Sequence, residues 1–191
     1  DLKDTLNIWD SQLLSFGSKI IERRQLFVSQ LNEIIYDIHK KLSGDKEEIL
    51  IKYEPNVLID DFEKKLKQNQ EKDIKLKMTT VGPHRDDICI DVNGIDIRKF
   101  GSQGQQRTAA LSLKLSEIEL VKKITKDTPV LLLDDVLSEL DSNRHKYLLD
   151  SIGNIQTIIT CTGLDDFVND RFEINKVFKV SNGKIVGGND E

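Results

Sequence analysis

The chain lacks a phosphate-binding loop of the form Gly, four spacers, Gly-Lys-Ser/Thr. Gly-Lys occurs once, at Gly183-Lys184, and Ile185 follows. A self-contained triphosphate site of that type is therefore excluded. Cysteine is scarce: Cys89 and Cys161 lie far apart, with no metal spacing. Both sit in apolar, strand-like contexts, which predicts two buried, reduced thiols in a cytosolic protein. His39, His84 and His145 form no ligand pattern, which argues against structural zinc. No apolar run approaches the roughly 18 residues of a membrane span. No apolar segment follows Asp1-Leu2-Lys3-Asp4, so no secretory signal peptide is expected. The only methionine is Met78, and the chain starts inside an amphipathic pattern, so a fragment of a longer protein is expected. A basic excess is also missing, since net charge is −5. Any contact with a nucleic-acid backbone must then come from a local patch.

What is present is unevenly spread. The 191 residues suffice for one large domain or two small ones, with 38% hydrophobic and 32% charged. Lys64, Lys65, Lys67, Lys72, Lys75 and Lys77 outnumber the acids among them, which makes 63–77 a solvated helix face or a DNA contact. Acids dominate 127–150. Apolar residues from Leu6 through Trp9, Leu13, Phe16, Ile20, Phe27, Leu31 and Ile34 to Ile38 recur mostly at intervals of three and four. That is a helical seam close to a heptad, with Arg23 in one seam position, and it predicts one long helix or two stacked ones over 2–42. Gly17 is a weak point in it. A strand is expected at 48–53, a helix at 56–70, and a further strand from the alternation of Ile74, Leu76 and Met78. Ile88, Ile90 and Val92, then Asn93-Gly94, then Ile95 and Ile97 predict a hairpin. A helix over 104–124, a strand at 129–134, a helix at 143–152, a strand at 155–161 and a terminal hairpin over 176–187 complete the pattern. Strands alternating with helices argue for an α/β layer with a parallel central part.

Three stretches carry chemistry. Residues 129–141 run Pro-Val-Leu-Leu-Leu-Asp-Asp-Val-Leu-Ser-Glu-Leu-Asp. Val130–Leu133 read as a central parallel strand, buried on both faces. Ligands of open α/β sheets gather where such strands end. There Asp134 can hold magnesium and Asp135 can polarise an attacking water. The pair also suits a helix cap or a solvated strand end. Ser138-Glu139-Leu140-Asp141 then reads as a polar turn, or as a cap with an acidic first turn. Earlier, Gly101-Ser102-Gln103-Gly104-Gln105-Gln106-Arg107 opens a helix with Ser102 as N-cap. Its first turn can bind an anion through backbone N–H groups, with Ser102 and Gln105 as extra donors, or can be a plain capped turn.

A capped helix followed about 30 residues later by an acidic strand end and Ser-Glu-Leu-Asp is the order seen in ABC-type ATPase heads. Three segments together resemble the RecF family of SMC-type ATPases, which serve bacterial DNA replication and repair. They are Thr80-Val-Gly-Pro-His-Arg-Asp-Asp87, Gly101 to Leu115, and Leu131 to Asp141. Trp9-Asp10-x-Gln12-Leu13 and Ile20-Ile21-x-x-Arg24 add to the likeness, which covers essentially the whole chain and matches the family's carboxyl-terminal half. The resemblance implies a helical arm subdomain at 1–72 and the carboxyl-terminal half of an ATPase head at 73–191. It implies that Asp134 is the magnesium-side acid of a Walker B strand and Asp135 the catalytic acid. Asp135 is one methylene shorter than the usual Glu, consistent with slow hydrolysis. Ser102, Gln103, Gly104 and Gln105 would be a signature presented in trans to ATP on a second subunit. Ser138 and Asp141 would lie in the D-loop, and Thr160 or Thr162 would be the switch. Arg85 pairs with Asp86 or Asp87, or contacts DNA or nucleotide; the residues leave this open. His84 reads as a hydrogen-bonded structural residue, and Trp9 as arm packing.

The implied protein is a cytoplasmic, nucleoid-associated bacterial homodimer. It would use ATP and Mg²⁺ to act on single-stranded or gapped DNA with RecO and RecR, loading recombinase in repair, replication and the SOS response. The Walker A loop would lie outside this chain, which alone is expected to be inactive. The alternatives are a non-enzymatic interaction module and another SMC-like repair ATPase. The latter is weakened by a seam far shorter than a long coiled coil.

Overall fold

The structure is a computed structural model that describes residues 2–135, 142–152, 155–161 and 176–190. The chain divides into two compact units, Asp1–Pro129 and Val130–Glu191.

The first unit is built on α1 (Leu2–Ser43), a single helix. Lys40 and Lys41 face the negative end of its dipole, and Gly44 at φ 67° ends it in the left-handed conformation. The buried stripe follows only part of the seam expected from spacing, sharing Leu31 with it, and Ile34 packs at its edge. Ile21, Val28, Leu31, Ile35, His39 and Leu42 are buried, whereas Trp9 is 60% exposed and Leu13, Phe16, Ile20 and Phe27 are also exposed. Trp9 therefore does not serve as arm packing among the described residues. Adjacent apolar stripes on one helix have equal periodicity, and only the partner surface selects between them.

That partner surface is a three-stranded antiparallel sheet and a second long helix. The sheet order is β1 (Ile49–Glu54), β2 (Asp87–Val92), β3 (Ile95–Asp96). Asn93 and Gly94 both have positive φ, the geometry of a type I′ hairpin turn. The open edge of β1 is closed by a side chain of α1. Asn32 donates to Ile51 O at 2.8 Å and accepts from Ile51 N at 2.9 Å. Asp96 caps the short α3 (Ile97–Phe100), and α4 (Gln103–Thr125) follows. Val28, Leu31 and Ile35 of α1 form one core with Ile49, Ile51, Val92, Ile97, Ala109 and Leu120.

Helix α2 (Ile59–Leu76) packs on the other part of α1. Phe62 and Leu66 join Ile21, Val57 and Val81 in a second core. The strand expected from Ile74, Leu76 and Met78 is instead the end of this helix. It stops at Lys77, which is left-handed at φ 55°, and Ile74, Leu76 and Met78 are exposed. Three alternating residues are too few to override a run of Lys and Gln, which favour helix. At Gly17 there is no room for a side chain against α2: a Cβ there would lie 2.5 Å from the Phe62 ring. Gly17→Ala is expected to destabilise the unit by about 1–2 kcal/mol, overpacking outweighing the gain in helix propensity. Urea denaturation of Gly17→Ala against Gly17→Ala/Phe62→Leu checks it, because the smaller partner restores the midpoint.

In the second unit, β4 (Leu131–Asp134) and β5 (Thr157–Thr160) pair in parallel, Asp134 opposite Thr160. They are the parallel part of an α/β fold; the other described ladders are antiparallel. Helix α5 (Ser142–Ile152) lies between them in sequence. A hairpin, β6 (Lys176–Ser181) and β7 (Lys184–Asp190), closes the unit. Burial of β4 alternates: Leu131 and Leu133 are buried, but Leu132 is 67% exposed. Ile158 of β5 is exposed too. Only one face of this strand pair is covered among the described residues, not both as expected, because successive side chains point to opposite faces. Cys89 is buried in β2, and burial pushes its thiol pKa up. Cys161 is exposed, contrary to the expectation of two buried thiols. No described helix is long and apolar enough to cross a membrane.

Candidate functional site

Ser102 and Gln105, expected as part of a signature, form a capping box at the start of α4. Ser102 Oγ accepts from Gln105 N at 3.2 Å, and Gln105 Oε1 accepts from Ser102 N at 3.0 Å. Gln106 N bonds to Ser102 O at 3.0 Å. The turn therefore presents the Ser102 hydroxyl with the N–H groups of Gln103 and Gly104, at the positive end of a 23-residue helix. Gln105 was expected to donate to an anion. Its amide instead donates to Glu47 Oε1 at 2.9 Å, so both ends of the side chain are used internally. Gly101 sets the approach: a Cβ there would lie 2.5 Å from Ile97 O, so a side chain would push α3 and α4 apart.

The Gly82–Asp87 loop lies in the same unit. Gly82 has φ 137°, which side chains rarely adopt, and its N–H donates to Asn56 Oδ1 at 3.1 Å. Asp86 is the hub. Its side chain is 2% exposed and accepts from Arg24 Nη1 at 2.8 Å, from Asn56 N at 2.9 Å and from the Tyr53 hydroxyl. Burial, then the bond to Asp86, pushes the Tyr53 phenol up to about 12. The Asp86 contact likewise raises the Arg24 guanidinium. Arg24 also donates to Pro83 O. Asp87 pairs with Arg98 at 2.6 Å, which holds its carboxyl below the usual range. Arg85 pairs with neither acid: it is exposed, with Nη2 3.8 Å from Met78 Sδ. His84 is hydrogen-bonded, its Nε2 2.8 Å from Thr79 O. The sequence pointed to Arg24 through Ile20-Ile21-x-x-Arg24. The roles of Asp86, Tyr53, Glu47 and His39 went unread, because their partners are far away in sequence.

The carboxylate strand end lies in the second unit. Thr160 Oγ1 donates to Asp134 Oδ1 and accepts from Asp135 N at 3.2 Å, while Asp135 N also bonds to Thr160 O at 3.1 Å. Thr160 therefore orients the acids, and its proton is used on Asp134. Asp134 and Asp135 are exposed, and Asp135 is left-handed at φ 51°. Asp tolerates that conformation better than most residues. Among the described residues no cluster of three or more His, Cys, Asp or Glu could hold a metal by itself. An exposed strand end with two carboxylates nevertheless suits Mg²⁺, which takes one or two carboxylates and completes its shell with water and phosphate. Ser138, Asp141 and Thr162 lie outside the described residues.

No family model matches the chain. Curated relatives do. It is 59% identical over 188 residues to the DNA replication and repair protein RecF of Lachnospira eligens, covering 98% of this chain and 52% of that protein. It is 61% identical to RecF of Agathobacter rectalis, covering 97% of this chain and 51% of that protein. The chain belongs with the RecF proteins. It spans about half the length of the curated relatives it matches. A solved recombination mediator protein RecF, in its ATP form and from the RecFOR pathway, has a TM-score of 0.78 and 36% identity. That match covers 95% of this chain and 50% of the solved one. The α/β fold of a RecF-type ATPase follows from this agreement.

Proposed function

We propose that this chain supplies the signature and Walker B portion of a RecF-type ATPase that dimerises on DNA when it binds ATP. The observation that carries this reading is the preformed capping box at Ser102–Gln105. It sets a hydroxyl and two backbone N–H groups at a helix N-terminus, in a chain without its own phosphate loop. ATP held by the Walker A loop of one subunit is met by Ser102, Gln103 and Gly104 of the other. Asp134, oriented by Thr160, holds the magnesium side, and Asp135 orients the attacking water. Bound Mg²⁺ would offset phosphate charge there. Ser138 and Asp141 act as the D-loop, and Thr162 contacts the phosphate from the switch. The domain boundary is placed near residue 72, although β1 and β2 pair across it.

The wider role follows the RecF relatives. The protein acts in bacterial DNA replication, repair and the SOS response, in the cytoplasm and on the nucleoid. It works on single-stranded or gapped DNA with RecO and RecR, hydrolysing ATP slowly. Arg85, exposed on a pinned loop, contacts DNA or nucleotide.

The test uses the chain assembled with a Walker A-bearing RecF amino-terminal half. ATP-dependent dimerisation is measured by analytical ultracentrifugation. Ser102→Arg is expected to abolish it by filling the phosphate position, while ATP binding by each monomer persists. Dimerisation that survives Ser102→Arg rules out the trans role of this turn.

A further inference from the structure

His39 is fully buried, and the ATP chemistry above does not use it. It sits on α1 with Nδ1 2.8 Å from Ser112 Oγ on α4 and Nε2 3.4 Å from Glu47 Oε2. A carboxylate facing Nε2 requires a proton on that nitrogen, since a lone pair there would meet negative charge. Ser112 Oγ gives its one proton to Thr108 O at 2.7 Å, so it accepts from His39 Nδ1. The contact between Nε2 and Glu47 Oε2 is a charge contact, longer at 3.4 Å than an ordinary N–H···O bond. The other oxygen accepts from Gln105 Nε2 at 2.9 Å, and Gln105 Oε1 accepts from Ser102 N at 3.0 Å. A line of polar contacts thus runs from the interior of the α1–α4 packing to the signature serine.

We propose that Glu47 is a positioning residue for the signature turn. It locks the Gln105 side chain so that Ser102, Gln103 and Gly104 stand ready for a phosphate. The proposal rests on the trans-signature reading above. Because the Gln105 amide is used internally, it braces the turn and leaves phosphate contact to its neighbours. Donors fixed beforehand need not be ordered when ligand arrives. The brace also ties the turn to α1, far away in sequence.

Two measurements test this. The first is amide hydrogen exchange at Ser102 and Gln105, which needs no nucleotide. The second is ATP-dependent dimerisation of the chain assembled with a Walker A-bearing half. Glu47→Ala is expected to speed exchange about tenfold and weaken dimerisation about tenfold, the size of one lost hydrogen bond to a charged group. ATP binding by each monomer stays unchanged. Glu47→Gln is expected to restore both, because its carbonyl still accepts from Gln105. Should Glu47→Ala fold poorly, Gln105→Met removes the bond to Glu47 together with the bond from Ser102 N and is expected to show losses at least as large. Unchanged exchange in Glu47→Ala, or equal losses in Glu47→Gln, overturns the brace. If Ser102→Arg still dimerises while Glu47→Ala loosens the turn, the brace stands and the trans reading fails.

Discussion

Asp86→Ala lowers the stability of the unit bearing α1 by about 3–5 kcal/mol, the loss expected when a buried charged network is broken. The carboxylate is 2% exposed and ties its own loop to two segments far away in sequence: Arg24 on α1, and Tyr53 on β1 with Asn56 just after it. Removing it strands the Tyr53 hydroxyl in half-buried surroundings, whereas the exposed Asn56 N–H can turn to water. Arg24 loses less, because its side chain is 45% exposed and water can replace the partner. Asp86→Asn is milder, since one acceptor remains in place. Urea denaturation checks this through a lower midpoint at constant slope. Asp86→Ala within about 1 kcal/mol of the parent would mean that the network adds little beyond packing.

If Asp135 orients the attacking water as proposed, Asp135→Asn is expected to cut ATP hydrolysis about 10²- to 10⁴-fold in the assembled protein, the usual worth of a positioned general base, and to leave ATP-dependent dimerisation intact. Two local features make this substitution clean. Asn tolerates the left-handed φ of 51° at this position, so the backbone need not shift. The Asp135 N–H that bonds to Thr160 O and Oγ1 belongs to the main chain and survives. Single-turnover phosphate release, measured beside sedimentation, separates hydrolysis from dimerisation. Unchanged hydrolysis would move the water-orienting role off Asp135.

The same residue shows how far sequence reaches. Asp135, at the position proposed as catalytic, reads from sequence as a shortened Glu. The backbone supplies a second reason for Asp, because Glu is less at ease in the left-handed region. Likewise Ser102 was legible as an N-cap from its place before a helical pattern. The capping box was implicit in Gln105 three residues on, but the diversion of the Gln105 amide to Glu47 was not. Glu47 and Gln105 are separated by 58 residues, and no local pattern links them.

Local signals determined much by themselves. Helical and alternating periodicity, Asn93-Gly94 and the acidic strand end placed most elements and both candidate sites, because these depend on residues within a turn or two. Tertiary structure decided which stripe of α1 is buried, because two apolar stripes were equally periodic and only the sheet and α4 choose between them. It made Ile74–Met78 a helix end and not a strand, and left Cys161 exposed. It also joined Asp86 to Arg24 and Glu47 to Gln105. Such contacts form only when chain segments far apart in sequence pack together, and the free energy that selects them is absent from any short window of residues.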